Sequence, residues 1–179
     1  MKTIVKQLDY TIVLCIYEDG GNSKWLSLYS QYNICVEYSM TNKGVAYARN
    51  MLLKAGEFDY IMFLDSDDMI DCDFIRKMYE MAGTNEYDMI ISKFIMNKKE
   101  IIYDKRSNVA GICLRCEFIK GLTFNEDYNI SEDALFIEEV YKRNPRIGKI
   151  DSNYYYNYGA NPDSLMMRFE RSELNLMKE

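Results

Sequence analysis

The chain has 179 residues, 48% hydrophobic and 28% charged, with 22 basic against 28 acidic side chains and a net charge of −6. That composition is globular, can bury a continuous core, and has the wrong sign for holding nucleic acid through phosphate neutralisation, so no nucleic-acid partner is expected. No histidine is present, which excludes Ser-His-Asp and Cys-His machinery, His-ligated metals and an imidazole base; acid–base work falls to carboxylates.

Strand and helix signals alternate along the chain in the α/β manner, predicting a mostly parallel sheet flanked by helices in a single domain over 1–179. Residues 11–17 are apolar and β-branched, and end at the polar turn Glu18-Asp19-Gly20-Gly21. A short helix is predicted over 23–31 and a short strand over 34–38. A firmer helix follows over 43–55, with Val45, Ala48, Leu52 and Ala55 as its apolar face and Gly56 as its terminal cap. The strand 60–64 then runs into a carboxylate turn. A helix over 71–82 carries Phe74, Ile75, Met78 and Met81 at helical period and stops at Gly83.

Residues 88–96 read as a strand with Ile90, Ile91, Phe94 and Ile95 in the core, and 97–128 as a short hairpin plus an irregular segment. Ser131-Glu132-Asp133 opens a helix to about Arg143, with Phe136, Ile137, Val140 and Tyr141 on one face, ended by Asn144-Pro145. Two strands, 146–151 and 153–158, and an amphipathic helix over 162–176 complete the chain. The apolar runs are too short to cross a bilayer and the start lacks the apolar core of a secretory signal, which predicts a cytoplasmic protein without a transmembrane segment. The five cysteines then read as reduced thiols; Cys113-x-x-Cys116 has no second pair to complete a zinc shell and lacks the setting of a thioredoxin-like redox pair.

The most informative stretch is Phe63-Leu64-Asp65-Ser66-Asp67-Asp68, where a buried strand runs straight into three carboxylates. Like charges this close repel, and burial raises the cost further unless a cation shares the site. Hard carboxylate oxygens suit Mg²⁺ or Mn²⁺, which take one or two protein carboxylates and fill their shell with water and substrate phosphates. The alternative is an acidic turn before the next helix, with Asp71 as its N-cap.

Three signatures in order, Asn42-Lys43-Gly44-Val45-Ala46-Tyr47-Ala48-Arg49-Asn50, then Asp65-Ser66-Asp67, then Glu132-Asp133, resemble family 2 of the inverting glycosyltransferases with the GT-A fold. Glu18-Asp19-Gly20 resembles that family's "DDG" turn, and Tyr156-x-Tyr158 with Ser164 its closing aromatic strand and serine; the resemblance spans roughly residues 3–165. It implies transfer of a sugar from a nucleotide-diphosphate-sugar donor to a carbohydrate or other hydroxyl acceptor, with Mn²⁺ or Mg²⁺ as cofactor, in surface polysaccharide or glycan synthesis. Asp19 and Arg49 would contact the nucleotide base, Asp65 the ribose, and Asp67 the metal; Asp133 would be the catalytic base. A helix N-terminus should lower the pKa of Asp133 and Glu132 beside it should raise it.

The chain departs from the pattern at its start, where residues 3–7 resemble the helix that follows the family's first strand. Part of the base-binding wall is then absent or supplied by a second copy or a partner chain. A competing reading is a sugar-nucleotide-binding or partner-dependent module with little activity alone. Two others are a haloacid-dehalogenase-type phosphatase, against which Met69 stands where that motif wants threonine or valine, and transfer onto modified bases in DNA, which the negative charge weakens. For Arg49-Asn50 and Ser131-Glu132-Asp133 the plainer alternatives are a solvated helix face and a well-capped helix start.

Overall fold

A computed structural model describes residues 12–21, 34–101, 106–128 and 130–156. The helices expected over 23–31 and 162–176, residues 3–7, Tyr158 and Ser164 lie outside the described residues. Strands β1 (Leu14–Asp19) and β2 (Ile34–Ser39) pair in parallel, with Leu14 opposite Ile34 and Asp19 opposite Ser39. Helix α1 (Val45–Leu53) follows β2 and packs on β1.

The second sheet contains β3 (Tyr60–Met62), β4 (Met69–Ile70), β5 (Met89–Met96), β6 (Lys99–Glu100), β7 (Ile112–Arg115) and β8 (Ile147–Tyr156), in the order β3-β7-β5-β8-β4 with β6 on β5. Helices α2 (Phe74–Gly83), α3 (Cys116–Ile119) and α4 (Glu132–Lys142) connect them. The α/β architecture expected from the sequence is present, but its ladders are mixed. β5 pairs β8 in parallel, whereas β3–β7, β4–β8, β5–β6 and β5–β7 are antiparallel.

The reversal begins at Asn97 and Lys98, whose φ angles of 52° and 63° make a two-residue hairpin loop of the type that matches strand twist. The expected hairpin is therefore present. The segment beyond the hairpin is less irregular than its residues suggest, because β7 lies between β3 and β5 with Ile112 and Leu114 fully buried.

Side chains alternate across this sheet to build two cores. Met89, Ile112 and Leu114 face one layer with Phe124, Phe136, Ile137 and Val140. Ile90, Cys113 and Tyr154 face the other with Phe74, Ile75 and Met78. Neighbouring Met89 and Ile90 are both fully buried, as a strand covered on both faces requires. Burying each such side chain stabilises the fold by about 1.5–3 kcal/mol.

The two strands expected over 146–158 are one strand with an irregularity. Ile91 pairs Lys149 and Lys93 pairs Asn153, so 150–152 bulge opposite Ser92. Lys77 captures the Asp151 carbonyl that the bulge frees, at 2.6 Å, and the Ser152 hydroxyl donates to Asp73 at 3.0 Å.

Several expected helix ends are corrected. α2 starts at Phe74 after Asp73, because the Asp71 carboxylate accepts the Asn153 N–H at 2.8 Å and the Tyr155 hydroxyl at 2.9 Å and so ties the chain to β8. Gly83 is the last residue of α2, and the positive φ falls on Asn85 (56°); Gly56 does not take one. In α1 the buried residues are Ala46, Arg49 and Asn50, while the expected face of Val45, Ala48 and Leu52 is half-buried.

Candidate active site

The carboxylate turn connects β3 to β4. Phe63 bridges Ala110 and keeps the chain in the sheet; beyond it the Asp68 N–H closes on the Asp65 carbonyl at 3.2 Å. Tyr154, on the adjoining end of β8, ties the turn down. Its hydroxyl accepts the Asp65 N–H at 3.4 Å and donates to the Asp68 carboxylate. The ring stacks on Phe94 at 6.0 Å and rests against Gly111, where a Cβ would lie 2.6 Å from the ring. The turn does not cap α2, so that alternative reading does not hold.

Arg49 enters from α1 and is only 7% exposed. Its guanidinium donates to Glu132 at 2.6 Å and to Asp65 at 3.1 Å, and lies over the Phe124 ring at 5.6 Å. Next to it Asn50 donates to the Phe124 carbonyl at 2.9 Å and to Glu126 at 2.8 Å, and accepts the Phe124 N–H at 2.8 Å. The solvated-face alternative for Arg49-Asn50 is thereby excluded. A buried cation and a buried amide need fixed partners, and here they come from the far side of the chain.

Helix α4 supplies the other carboxylates. Ser131 takes a left-handed φ of 66° and makes no side-chain cap, so the well-capped helix start is replaced by a strained corner that leads into Glu132 and Asp133. Burial raises the pKa of Glu132 against the pull of Arg49. Burial also raises that of Asp133, with Asp65 adding to it; Arg49 and the backbone N–H groups of Ala134 and Val109 oppose the shift without cancelling it. The expected lowering by the helix N-terminus is thus outweighed by desolvation, and Asp65 acts on Asp133 as a like charge. Tyr156, half-buried on β8, faces the same carboxylates; burial first and then Asp68 push its phenol up to about 12.

The structure therefore brings Arg49, Asp65 and Asp133 together. Asp19 is used elsewhere, since its two carboxylate oxygens accept the Lys43 and Gly44 N–H groups, both at 2.7 Å, and anchor the start of α1. Asp67 is exposed on the turn. Glu132, Asn50 and Tyr154 carry much of the geometry, yet sequence reasoning assigned the last two no role and took Glu132 only as a charge acting on Asp133. The adjacent motif positions were the available signal for the first two, and β8 membership for the third.

Among the described residues no three carboxylates or thiols converge as a protein-only metal cage. Asp67 nonetheless offers hard oxygens at the exit of a strand, which fits the one-carboxylate-plus-phosphate mode of Mg²⁺ and Mn²⁺. Burial raises the Cys113 thiol to about 12 and the Cys116 thiol to about 11, which leaves this pair inert, as expected of core thiols.

An α/β fold with carboxylates gathered past the strand ends places the molecule among the GT-A folds. It superposes on Staphylococcus aureus TarS 1–349 in complex with UDP with a TM-score of 0.74 at 19% identity, over 87% of this chain and 54% of that one. A complex of the same protein with UDP-GlcNAc gives the same TM-score over 52% of its chain. The family model of glycosyl transferase family 2 matches residues 1–168, and the chain belongs to that family.

Poly(ribitol-phosphate) beta-N-acetylglucosaminyltransferase TarP of S. aureus (strain N315) is 25% identical over 143 residues, covering 78% of this chain and 43% of the relative. Poly(ribitol-phosphate) beta-glucosyltransferase of Bacillus spizizenii is 24% identical over 83% of this chain and 27% of its own length. A Haemophilus influenzae glycosyltransferase is 35% identical over 69% of this chain and 60% of its own. The chain thus spans less than two thirds of the length of these relatives. No helix among the described residues is long and apolar enough to cross a membrane.

Proposed function

We propose that this chain transfers a sugar from a nucleoside-diphosphate donor to an acceptor hydroxyl with inversion, in the cytoplasm, during synthesis of a wall or surface polysaccharide. The observation that carries the proposal is Asp133, desolvated and raised in pKa beside the Arg49–Asp65 ion pair. A carboxylate of raised pKa is a stronger base in its ionised form, as proton abstraction from a hydroxyl demands. The relatives' names, which specify sugar transfer to poly(ribitol-phosphate), support the setting. TarS bound to UDP supports the donor class.

Asp133 takes the acceptor proton as that oxygen bonds to the anomeric carbon. The bond from that carbon to the diphosphate breaks on the opposite face, and its electron pair leaves with the phosphate. Asp65 contacts the ribose, and Arg49 holds Asp65 in position while its remaining donors face the base. Asp19 keeps lone pairs for a base N–H beyond the two backbone bonds it accepts. Asp67 is the residue that would hold a divalent cation, which when bound would supply charge neutralisation for the diphosphate leaving group.

The test is single-turnover release of UDP from UDP-glucose and UDP-GlcNAc, with and without Mn²⁺, alongside sedimentation with and without UDP. Manganese-dependent release, with product of inverted anomeric configuration, is expected. Tight UDP binding without release under any acceptor would replace the transferase with a binding module.

A further inference from the structure

The transferase reading gives Asp67 a cation and leaves open what keeps its turn in shape. The turn carries three carboxylates in four positions, and their mutual repulsion favours opening it unless some group outside the turn holds it closed. Within the turn the Asp68 N–H bond to the Asp65 carbonyl, at 3.2 Å, is the backbone closure. From outside the turn Arg49 holds the Asp65 carboxylate, and the Tyr154 hydroxyl meets both ends at once by accepting the Asp65 N–H and donating to the Asp68 carboxylate.

Three further observations single out this phenol. Its ring is fully buried and has little freedom, stacked on Phe94 on one side and seated on Gly111 on another. Gly111 itself has a φ of 67°, a conformation that suits glycine, and its missing Cβ makes the seat. Burial and the Asp68 charge also push the phenol's pKa well above the ordinary tyrosine range, which favours the protonated, donating hydroxyl. Finally, β4 follows the turn directly and pairs with β8 through Ile70 opposite Tyr154, so phenol and turn belong to one rigid corner.

We propose that Tyr154 is a positioning residue for donor binding: its hydroxyl engages Asp68 and the Asp65 amide to hold the turn in the shape that presents Asp67 to the cation and diphosphate. The inference rests on the transferase reading for the identity of the ligand. Asp68 is, on this account, a structural carboxylate engaged with Tyr154, and the cation falls to Asp67.

The probe is UDP, titrated calorimetrically with Mn²⁺ and again with EDTA into wild type, Tyr154→Phe, Asp68→Ala and the double variant. Tyr154→Phe keeps the ring and its stacking and removes one hydroxyl bonded to a charged group, so about a tenfold loss of UDP affinity is expected with Mn²⁺. With EDTA a smaller loss is expected, because only the ribose contact of Asp65, and no longer the cation, then depends on the shape of the turn. Asp68→Ala should reproduce this, and the double variant should lose no more than either single, as two halves of one link do.

Equal weakening with and without Mn²⁺ would mark Tyr154 as merely structural and overturn the proposal. So would losses that add in the double variant, which would make Asp68 a cation ligand in its own right. Unchanged affinity in Tyr154→Phe would overturn it as well. Should Tyr154→Phe not fold, Asp68→Ala alone decides on the manganese dependence. Asp67→Ala is the control that separates the two levels: if it leaves UDP binding by wild-type standards intact, the metal-dependent reading fails and this inference with it. If Asp67→Ala abolishes the manganese effect while Tyr154→Phe does not alter it, only the inference fails.

Discussion

Replacing Arg49 by methionine tests whether the buried ion pair organises the site. The side chains of Arg49 and Glu132 are 8% and 7% exposed, so their 2.6 Å pair is little screened, whereas Asp65 at 35% is open enough to be rehydrated. Nearly all of the loss should therefore come from stranding Glu132, and breaking such a pair by removing one partner costs about 3–5 kcal/mol. For a chain of this size that corresponds to a fall in Tm of roughly 6–20 °C.

The sign of the pH dependence follows from the same groups. Glu132 and Asp133 already have raised pKa values in the fold, and Arg49 is among the influences lowering each. Without Arg49 both rise further. A carboxylate raised in the folded state favours folding most when protonated and loses that contribution as pH climbs through its folded value. The gap between Arg49→Met and wild type should thus narrow as pH falls toward the ordinary carboxylate range and widen toward neutrality. Glu132→Gln, which keeps an acceptor for Arg49 and strands no carboxylate, should cost only about 1 kcal/mol. Urea titrations of all three proteins at several pH values provide the measurement. A penalty for Arg49→Met that is independent of pH, or no larger than that of Glu132→Gln, would refute the reasoning.

Asp133→Asn should leave UDP affinity near wild type, lower transfer about 10²–10⁴-fold, and hold or raise Tm at neutral pH, since it removes a charge that burial disfavours. In the wild type the acid limb of kcat should lie above the ordinary aspartate range, and a limb inside that range would remove Asp133 as the base. Asp67→Ala should abolish the manganese dependence of UDP binding, read by calorimetry. Gly111→Ala forces a side chain onto a φ of 67° with its Cβ 2.6 Å from the Tyr154 ring, and should cost about 1–3 kcal/mol or more in urea unfolding.

Local chemistry made a good part of this protein legible in its sequence. The carboxylates at the exit of an apolar strand, the periodic faces of α2 and α4 and the strand at 88–96 follow from residue type and spacing, and the motifs that carry the family resemblance stand in order along the chain. A hairpin is expected somewhere in 97–128, but its turn at Asn97-Lys98 is set by the pairing of β6 with β5. Tertiary structure decided the rest. Helix α1 buries Arg49 and Asn50 because their partners arrive from 83 and 74 positions away, and no periodicity reports a distant carboxylate or carbonyl. The β7 segment reads as irregular because its place in the sheet depends on β3 and β5, and the Asp71 carboxylate is engaged by the Asn153 N–H and the Tyr155 hydroxyl of β8 and does not cap the helix. The pKa of Asp133 moved opposite to the helix-terminus argument because desolvation depends on everything packed around the group. Sequence spacing determines which faces can be buried, but the free energy of a buried charge belongs to the neighbours that only the folded chain supplies.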